Sequence, residues 1–322
     1  MKHKRLLSML LAVVMTLSLL PVVAFADYWY YVDRYWDESS KEVVSNEVDI
    51  DPSTLMPEGS SFTFLTNGTD MFFVIDDTTF ADRWTISGDI KLVIADGATL
   101  TCEKGIAVNH GASLSIYGQR NDSGKLIANS DSYNAAIGSD GDENGCGAIN
   151  IYGGTINATG GRRAAGIGGG NEAGNGAVNI YGGTVKAQGG DSGAGIGTGD
   201  WPETKAETIK IYGGNVTANG GNYGAGIGGG DEAGNGAIVI YGGTVTAQGG
   251  DGGAGIGTGD MSATESGTIT IYGGTINAIG GYDAAGIGGG DESGNGAIAI
   301  YGGTVKAQGG DSGAGIASEK RR

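Results

Sequence analysis

The sequence contains few of the residues from which catalytic, metal-binding and redox sites are usually built. It has two cysteines, two histidines and four prolines in 322 residues. Cys102 and Cys146 are too few for a disulfide-stapled scaffold or a cysteine zinc site, although a single disulfide between them is compatible with the sequence. His3 lies beside the N-terminal apolar run, so His110, in an Asn-His-Gly turn, is the one histidine beyond it. We expect His110 to be a surface residue, and no Cys–His nucleophile is indicated.

Basic residues are also scarce. The chain has 19 Lys and Arg against 36 Asp and Glu, which gives a net charge of −17. This excess of negative charge argues against nucleic acid and anionic membranes as partners. It favours cations, cationic surfaces and neutral polymers.

Only one apolar run is long. Basic residues at positions 2, 4 and 5 precede an apolar stretch from Leu6 to Leu20, and Ala-Phe-Ala at 24–26 fits a cleavage site for secretion. Residues 1–26 are therefore predicted to be a signal peptide; a membrane anchor is the alternative, for which the run is short. Without this segment 16 basic residues remain against 36 acids, a net charge of −20. The expected location is secreted, extracellular or on the cell surface, with no later membrane span.

Glycine, by contrast, is abundant and periodic. The 67 glycines exclude a mainly helical chain, and many of them recur within a block that begins Ile-Tyr-Gly-Gly. The block starts at Ile151, Ile180, Ile211, Ile240, Ile271 and Ile300, with spacings of 29, 31, 29, 31 and 29 residues. This period indicates a solenoid whose repeats stack on one another. The loops that follow alternate between two lengths, so the complete unit is a pair of repeats.

Each repeat contains three short alternating runs separated by glycines. In the repeat that follows Ala237 these runs are 238–240, 245–247 and 254–256, a pattern typical of strands with one buried face. Three strands and three glycine corners predict an all-β fold, a right-handed three-sided parallel β-helix with coils of about 30 residues. Three interior rows are predicted: Ile151, Ile180, Ile211, Ile240, Ile271 and Ile300; Ala158, Ala187, Ala218, Ala247, Ala278 and Ala307; and Ile167, Ile196, Ile227, Ile256, Ile287 and Ile316.

The chain after the signal peptide divides into three segments. Residues 27–61 are an aromatic and acidic lead-in, predicted to cap the open first coil, with a surface-binding patch as the alternative. Residues 62–150 are predicted to form irregular coils, in which Ile94 and Ile116 correspond to Ile151 and Cys102 takes the place of an inward alanine. Residues 151–322 hold the regular repeats. The last coil is incomplete, which predicts either a truncated chain or end-to-end self-association through an exposed rung.

The run from Ile86 to Ser130, followed by repeats of the form GGTV-x-A-x-GG-xx-GAGIGGG, resembles a known group of proteins. These are secreted or cell-surface glycine-rich repeat proteins of Gram-positive, mostly gut and anaerobic, bacteria. The resemblance covers residues 70–316 of this sequence. It implies a pectate-lyase-like β-helix with a carbohydrate-binding or adhesive role.

An outward row of tyrosines is the first candidate site. It follows the inward isoleucines and comprises Tyr117, Tyr152, Tyr181, Tyr212, Tyr241, Tyr272 and Tyr301. Rings one coil apart, about 5 Å, are predicted to offer a platform for an extracellular polysaccharide or a cell-surface glycan. The alternative is a self-stacked ladder that stiffens the corner. Trp201, whose counterpart in the next long loop is Met261, is expected to be exposed and is counted with this platform.

An acidic row is the second candidate site. It lies four residues after the isoleucine of each Gly-Ile pair, and the possible calcium ligands are Asp200, Asp231, Glu232, Asp260, Asp291 and Glu292. Carboxylates one coil apart repel each other by about 1 kcal/mol even in water, which favours a bound cation. Oxygen ligands select Ca²⁺, the one cofactor indicated. The alternative is a set of solvated turns whose side chains cap their own backbone.

No group of catalytic residues interrupts the repeats. A polysaccharide lyase on this fold needs a basic proton acceptor beside a metal, and a hydrolase needs paired carboxylates on one face. The non-repeating cations, chiefly Arg162, Arg163, Lys205 and Lys210, do not assemble into such a site. The predicted function is a non-catalytic carbohydrate-binding or surface-adhesion module. A structural, self-assembling spacer is the first alternative, and a pectin-type lyase or hydrolase is the second.

Overall fold

The computed structural model describes residues 29–51, 56–57, 64–66, 70–141, 145–262, 266–294 and 296–317. The predicted signal peptide lies outside these residues. Within them every regular element is a strand. No helix in this part of the chain has the length and hydrophobicity that a membrane crossing requires.

The N-terminal region contributes four strands. β1 (Tyr30–Asp37) and β2 (Glu42–Asp49) form an antiparallel hairpin. β3 (Met56–Pro57) and β4 (Phe64–Thr66) pair with each other and are also antiparallel. β4 joins the first strand of the solenoid, so that this short ribbon extends the edge of one solenoid sheet.

Nine coils of three strands follow. The irregular coils are coil 1 with β5 (Met71–Val74), β6 (Thr78–Phe80) and β7 (Trp84–Ile86); coil 2 with β8 (Asp89–Ile94), β9 (Thr99–Cys102) and β10 (Ile106–Val108); and coil 3 with β11 (Ser113–Tyr117), β12 (Lys125–Asn129) and β13 (Ile137–Gly138). The regular coils are coil 4 with β14 (Ala148–Ile151), β15 (Thr155–Thr159) and β16 (Ile167–Gly168); coil 5 with β17 (Val178–Ile180), β18 (Thr184–Gln188) and β19 (Ile196–Gly197); coil 6 with β20 (Ile209–Ile211), β21 (Asn215–Asn219) and β22 (Ile227–Gly228); coil 7 with β23 (Ile238–Ile240), β24 (Thr244–Gln248) and β25 (Ile256–Gly257); coil 8 with β26 (Ile269–Ile271), β27 (Thr275–Ile279) and β28 (Ile287–Gly288); and coil 9 with β29 (Ile298–Ile300), β30 (Thr304–Gln308) and β31 (Ile316–Ala317).

Equivalent strands of successive coils pair in parallel and build three sheets. The first strands of the coils, together with β3 and β4, form an 11-stranded sheet, and the second and third strands form two 9-stranded sheets. The all-β, three-sided parallel β-helix is therefore confirmed as a fold class. Its right-handedness stays a prediction.

The interior rows are confirmed by the strand register. Ile151 pairs with Ile180, Ala158 with Ala187 and Ile167 with Ile196, and the same register continues to coil 9. Up to coil 8 these side chains are buried. Each of coils 4 to 8 thus contributes two isoleucines and an alanine to one continuous core, which stabilises the stack through the hydrophobic effect.

Glycine is required at the corner after the first strand of each regular coil. Gly243 has φ of 87°, a left-handed conformation that strains residues with a Cβ. A Cβ atom there would also lie 2.7 Å from the carbonyl oxygen of Gly214 in the preceding coil. The second glycine of Ile-Tyr-Gly-Gly therefore serves both the turn and the close stacking of corners.

The register of coil 2 differs from the prediction. Ile116 pairs with Leu92, and not with Ile94 as the spacing predicted. The reason is that β8 continues past the corner, because Val93 and Ile94 are buried and pair with Phe73 and Val74 of coil 1. The corner prediction was therefore wrong by two residues in this irregular coil.

The two cysteines are both buried as free thiols. Cys102 pairs in register with Ala128, which in turn pairs with Ala158, so its predicted inward position is confirmed. Cys146 lies in the connection before β14, where burial raises the pKa of its thiol to about 11. His110 is exposed, as expected.

Candidate functional site

The tyrosine row is a continuous stack of rings. Centroids of neighbouring rings from Tyr117 to Tyr301 lie 4.5 to 5.2 Å apart, and the rings are tilted by 2 to 12°. This is the self-stacked alternative. Because each interior ring uses both faces on its neighbours, a sugar beside Tyr152, Tyr181, Tyr212, Tyr241 or Tyr272 would meet ring edges and hydroxyl groups. Face-on stacking, the contact that an aromatic platform supplies, is taken up within the protein.

The N-terminal hairpin lies on this tyrosine corner. Its Trp36 ring is 5.6 Å from Tyr212 and 4.8 Å from Tyr241, and its Tyr31 ring is 4.5 Å from Tyr117. The row is consequently buried at Tyr117 and half-buried from Tyr152 to Tyr241, whereas Tyr272 is 50% and Tyr301 72% exposed. The lead-in thus runs along the side of the solenoid, and sequence patterns gave no sign of this.

Polar contacts fix the base of the hairpin. Arg34 Nη2 lies 2.7 Å from Asp122 Oδ2, and Nη1 of the same residue donates to the backbone carbonyl of Tyr152. Arg120 donates through two nitrogens to the carboxylate of Glu47 at 2.7 and 2.8 Å. Two-pronged arginine–carboxylate pairs are geometrically specific. The hairpin is therefore docked in one register on coils 3 to 7.

The acidic row is found at the corner after each third strand. Asp200 and Asp260 are only 6% and 7% exposed, and Asp231 and Asp291 are half-buried. Arg163 Nε lies 3.4 Å from Asp200 Oδ2. Asp231 Oδ1 and Asp260 Oδ1 have no hydrogen-bond partner among the described residues. These two oxygen atoms are buried without the hydrogen bonds that usually offset the loss of contact with water.

Their proton affinities follow from this environment. Burial, followed by repulsion from Asp231, raises the pKa of Asp200 to about 6. Burial and then repulsion from Asp291 raise the pKa of Asp260 to about 6. The pKa of Asp231 is also raised, first by burial and then by Glu232. These three carboxyl groups therefore take up protons more readily than free aspartate does.

The predicted calcium ligands do not converge. Within the described residues, no three His, Cys, Asp or Glu side chains come together closely enough to hold one metal ion. Asp200, Asp231, Asp260 and Asp291 instead form a single file, one per coil, and Glu232 and Glu292 lie in the next row out. Calcium takes six to eight oxygen ligands around one centre. The described carboxylates alone do not surround one such centre, and calcium binding at this row stays a prediction.

The residue after each Asp of the acidic row, and after Asn171 at the same place in coil 4, adopts a left-handed backbone. We call these five residues the αL stripe: Glu172 (φ 61°), Trp201 (46°), Glu232 (51°), Met261 (47°) and Glu292 (46°). Backbone bonds join the stripe to the acidic row of the next coil, as where Trp201 N donates to Asp231 O at 3.0 Å. The stripe crosses five coils and alternates acidic with apolar side chains. Trp201 is 62% and Met261 48% exposed.

The αL stripe is conspicuous because glycine is avoided there. A left-handed conformation costs an L-residue roughly 1–2 kcal/mol, and glycine adopts it freely. The chain uses 67 glycines and places one at each Tyr-Gly-Gly corner, yet none at these five positions. Backbone strain that is retained in this way points to a use for the side chains.

A groove opens beside Trp201. It has a volume of about 540 Å³, with Pro202–Thr208 as one wall, Gly234–Ala237 as the floor and residues 266–267 opposite. The wall leans back on the preceding loop, since Gly174 N donates to Thr204 Oγ1 at 2.8 Å. Along it Glu203, Lys205 and Glu207 are exposed, as is Trp201, the residue before it. The groove therefore lies between residues 202–208 of one long loop and residues 266–267 of the next.

The buried polar floor of the groove is incompletely satisfied. Asn235 is buried, and its Nδ2 donates to the carbonyl oxygens of Gly236 at 2.7 Å and Gly267 at 3.3 Å. Its Oδ1 has no partner among the described residues, and the same is true of Ser266 Oγ on the opposite wall. The groove thus combines hydroxyl, amide and charged groups, and the exposed Trp201 directly precedes its first lining residue.

Comparison with protein families identifies the class of protein. Residues 149–171, 178–200, 209–231, 238–260, 269–291 and 298–316 each match the beta helix repeat. Over these stretches the chain belongs to the beta helix repeat family, in agreement with the parallel solenoid that its strands form. The comparisons with curated proteins and with solved structures found no match.

Proposed function

We propose that this protein is an extracellular, non-catalytic carbohydrate-binding module. Its binding surface is the αL stripe at Trp201 together with the adjoining groove. The single observation that carries the proposal is the exposed indole of Trp201. Its backbone has a strained left-handed φ, at a position where this glycine-rich chain does not use glycine. The resemblance to secreted repeat proteins with carbohydrate-binding or adhesive roles points the same way.

The chemistry of the surface suits a sugar chain. An indole face stacks on the apolar face of a pyranose ring, and the nearby polar groups bond to its hydroxyls. Glu203, Lys205 and Glu207 supply exposed donors and acceptors along the wall of the groove. The tyrosine corner is a poorer candidate, because its ring faces are stacked on one another and the hairpin lies on much of it.

Binding is better supported than hydrolysis. The raised pKa values of Asp200 and Asp260 are a property that a general acid needs. However, both side chains are more than nine-tenths buried, so a scissile bond cannot reach them. They are also members of a row repeated from coil to coil, without the asymmetry between two carboxylates that glycosidases use.

The test is a binding screen with neutral, cationic and anionic polysaccharides. We expect Trp201→Ala to abolish most of the binding, whereas Tyr35→Ala, which removes an exposed aromatic ring of the hairpin, leaves it unchanged. Release of reducing or unsaturated ends is measured in parallel and is expected to be at background. Absence of binding to every polymer, or equal binding by the Trp201→Ala variant, would refute the proposal.

A further inference from the structure

We infer that the ligand is a polysaccharide with free amino groups, an amino-sugar polymer that lies along the αL stripe parallel to the solenoid axis. This rests on the proposed function and specifies the ligand class. Two independent features support it, the charge of the stripe and its spacing.

The charge on this edge is strongly negative. Glu172, Glu232 and Glu292 stand in the stripe itself, and the row of Asp200, Asp231, Asp260 and Asp291 lies directly beneath it. Among the described residues the one salt bridge to this row comes from Arg163, at the Asp200 position. Such a surface repels an anionic polysaccharide, and a neutral polysaccharide provides no positive charge for the carboxylates of the protein. The ammonium groups of an amino-sugar polymer pair with these carboxylates.

The buried carboxylates add a second reason for a cationic partner. Asp260 is 7% exposed and its Oδ1 has no hydrogen-bond partner among the described residues. Asp231, one coil earlier, is half-buried, and its Oδ1 also has no hydrogen-bond partner among the described residues. A negative potential from these uncompensated groups extends outward through the stripe, because the protein interior screens it weakly.

The spacing of the stripe fits a polysaccharide better than a peptide. Coils are stacked about 4.8 Å apart, so Trp201 and Met261 are two coils, or about 10 Å, apart, and Glu232 lies between them. In an extended β-linked polymer successive rings alternate in orientation, so that one face and one edge recur once per disaccharide. That length matches two coils. Apolar ring faces then meet Trp201 and Met261 while amino groups meet the glutamates.

The experiment compares a glucosamine hexamer with its fully N-acetylated counterpart, which differs in charge and keeps the same backbone. We expect the amino form to bind at least tenfold more tightly at low ionic strength, with the difference shrinking as salt is added. Glu232→Gln should weaken that binding about fivefold, the equivalent of roughly 1 kcal/mol. Glu172→Gln, Glu232→Gln and Glu292→Gln combined should weaken it about a hundredfold.

The matched control is Glu103→Gln, an exposed glutamate of coil 2, which should bind like the unchanged protein. Equal binding of the acetylated hexamer, lost in Trp201→Ala, would overturn this inference and leave the proposed function standing. Binding of oligolysine as tightly as the glucosamine hexamer would also overturn it, in favour of a basic peptide ligand. If no saccharide binds at all, the proposed function fails as well.

Discussion

Replacing Trp201 by glycine separates the folding role of this residue from its binding role. The left-handed backbone at Trp201 costs roughly 1–2 kcal/mol, which glycine relieves. Glycine also makes the unfolded chain more flexible, which costs about 0.4–1 kcal/mol. Because the side chain is 62% exposed, little buried contact is lost. The expected net effect is therefore between no change and a stabilisation of about 1.5 kcal/mol.

The assay is thermal unfolding of the Trp201→Gly and Trp201→Ala variants, together with saccharide binding. Alanine removes the indole and keeps the strain, so the glycine variant should melt higher than the alanine variant by about 2 °C per kcal/mol. Both should lose binding. Met261→Gly, at the equivalent position with φ of 47°, should repeat the stability result with a smaller loss of binding. A glycine variant that melts below the alanine variant would refute the strain argument. A Trp201→Gly variant that still binds saccharide would refute the proposed binding site at Trp201.

Three further predictions concern stability. Trp36→Ala should destabilise the docking of the hairpin by about 1–3 kcal/mol, since it removes the tilted ring contacts with Tyr212 and Tyr241. Hydrogen exchange in β1 and β2 should therefore rise while the solenoid strands stay protected. Gly243→Ala should destabilise the protein by at least 1 kcal/mol, because the Cβ meets both a left-handed φ and a carbonyl of the preceding coil, and an unchanged melting temperature would contradict this. Asp200 and Asp260 bind protons more tightly in the folded state, so stability should fall as the pH rises from about 4 through about 6, and Asp200→Asn with Asp260→Asn should flatten that slope in melts across the range.

Much of the fold could be predicted from sequence because its period is the physical repeat of the solenoid. Once the blocks are aligned at Ile151 and Ile180, each residue's neighbours in the adjacent coils follow, and the interior rows needed no other information. The irregular coils lack that constraint. In coil 2, β8 extends past the predicted corner because Val93 and Ile94 are buried and pair with β5 of coil 1.

The features that define the candidate site were harder to predict, for two physical reasons. The docking of the hairpin joins a segment that does not repeat to a row that does, so no periodicity links Trp36 to Tyr241. A left-handed backbone is usually detected from glycine, and the positions of Trp201 and Glu232 carry none. The sequence did show that Met261 corresponds to Trp201. It did not show that the five residues of the αL stripe adopt a left-handed backbone, which is unfavourable for residues other than glycine.

The two-coil alternation of the loops determines how an array of this kind can lengthen. The aromatic rings of the hairpin contact the solenoid between Tyr117 and Tyr241. Beyond Tyr241 the interior rows and the αL stripe continue without such ring contacts to the hairpin. Duplication of a single coil after that point would preserve the core but put two like residues side by side in the αL stripe. Duplication of a pair preserves both the core and the alternation. Inheritance of the proposed binding surface therefore favours growth in pairs, even though the hydrophobic core would tolerate growth by single coils.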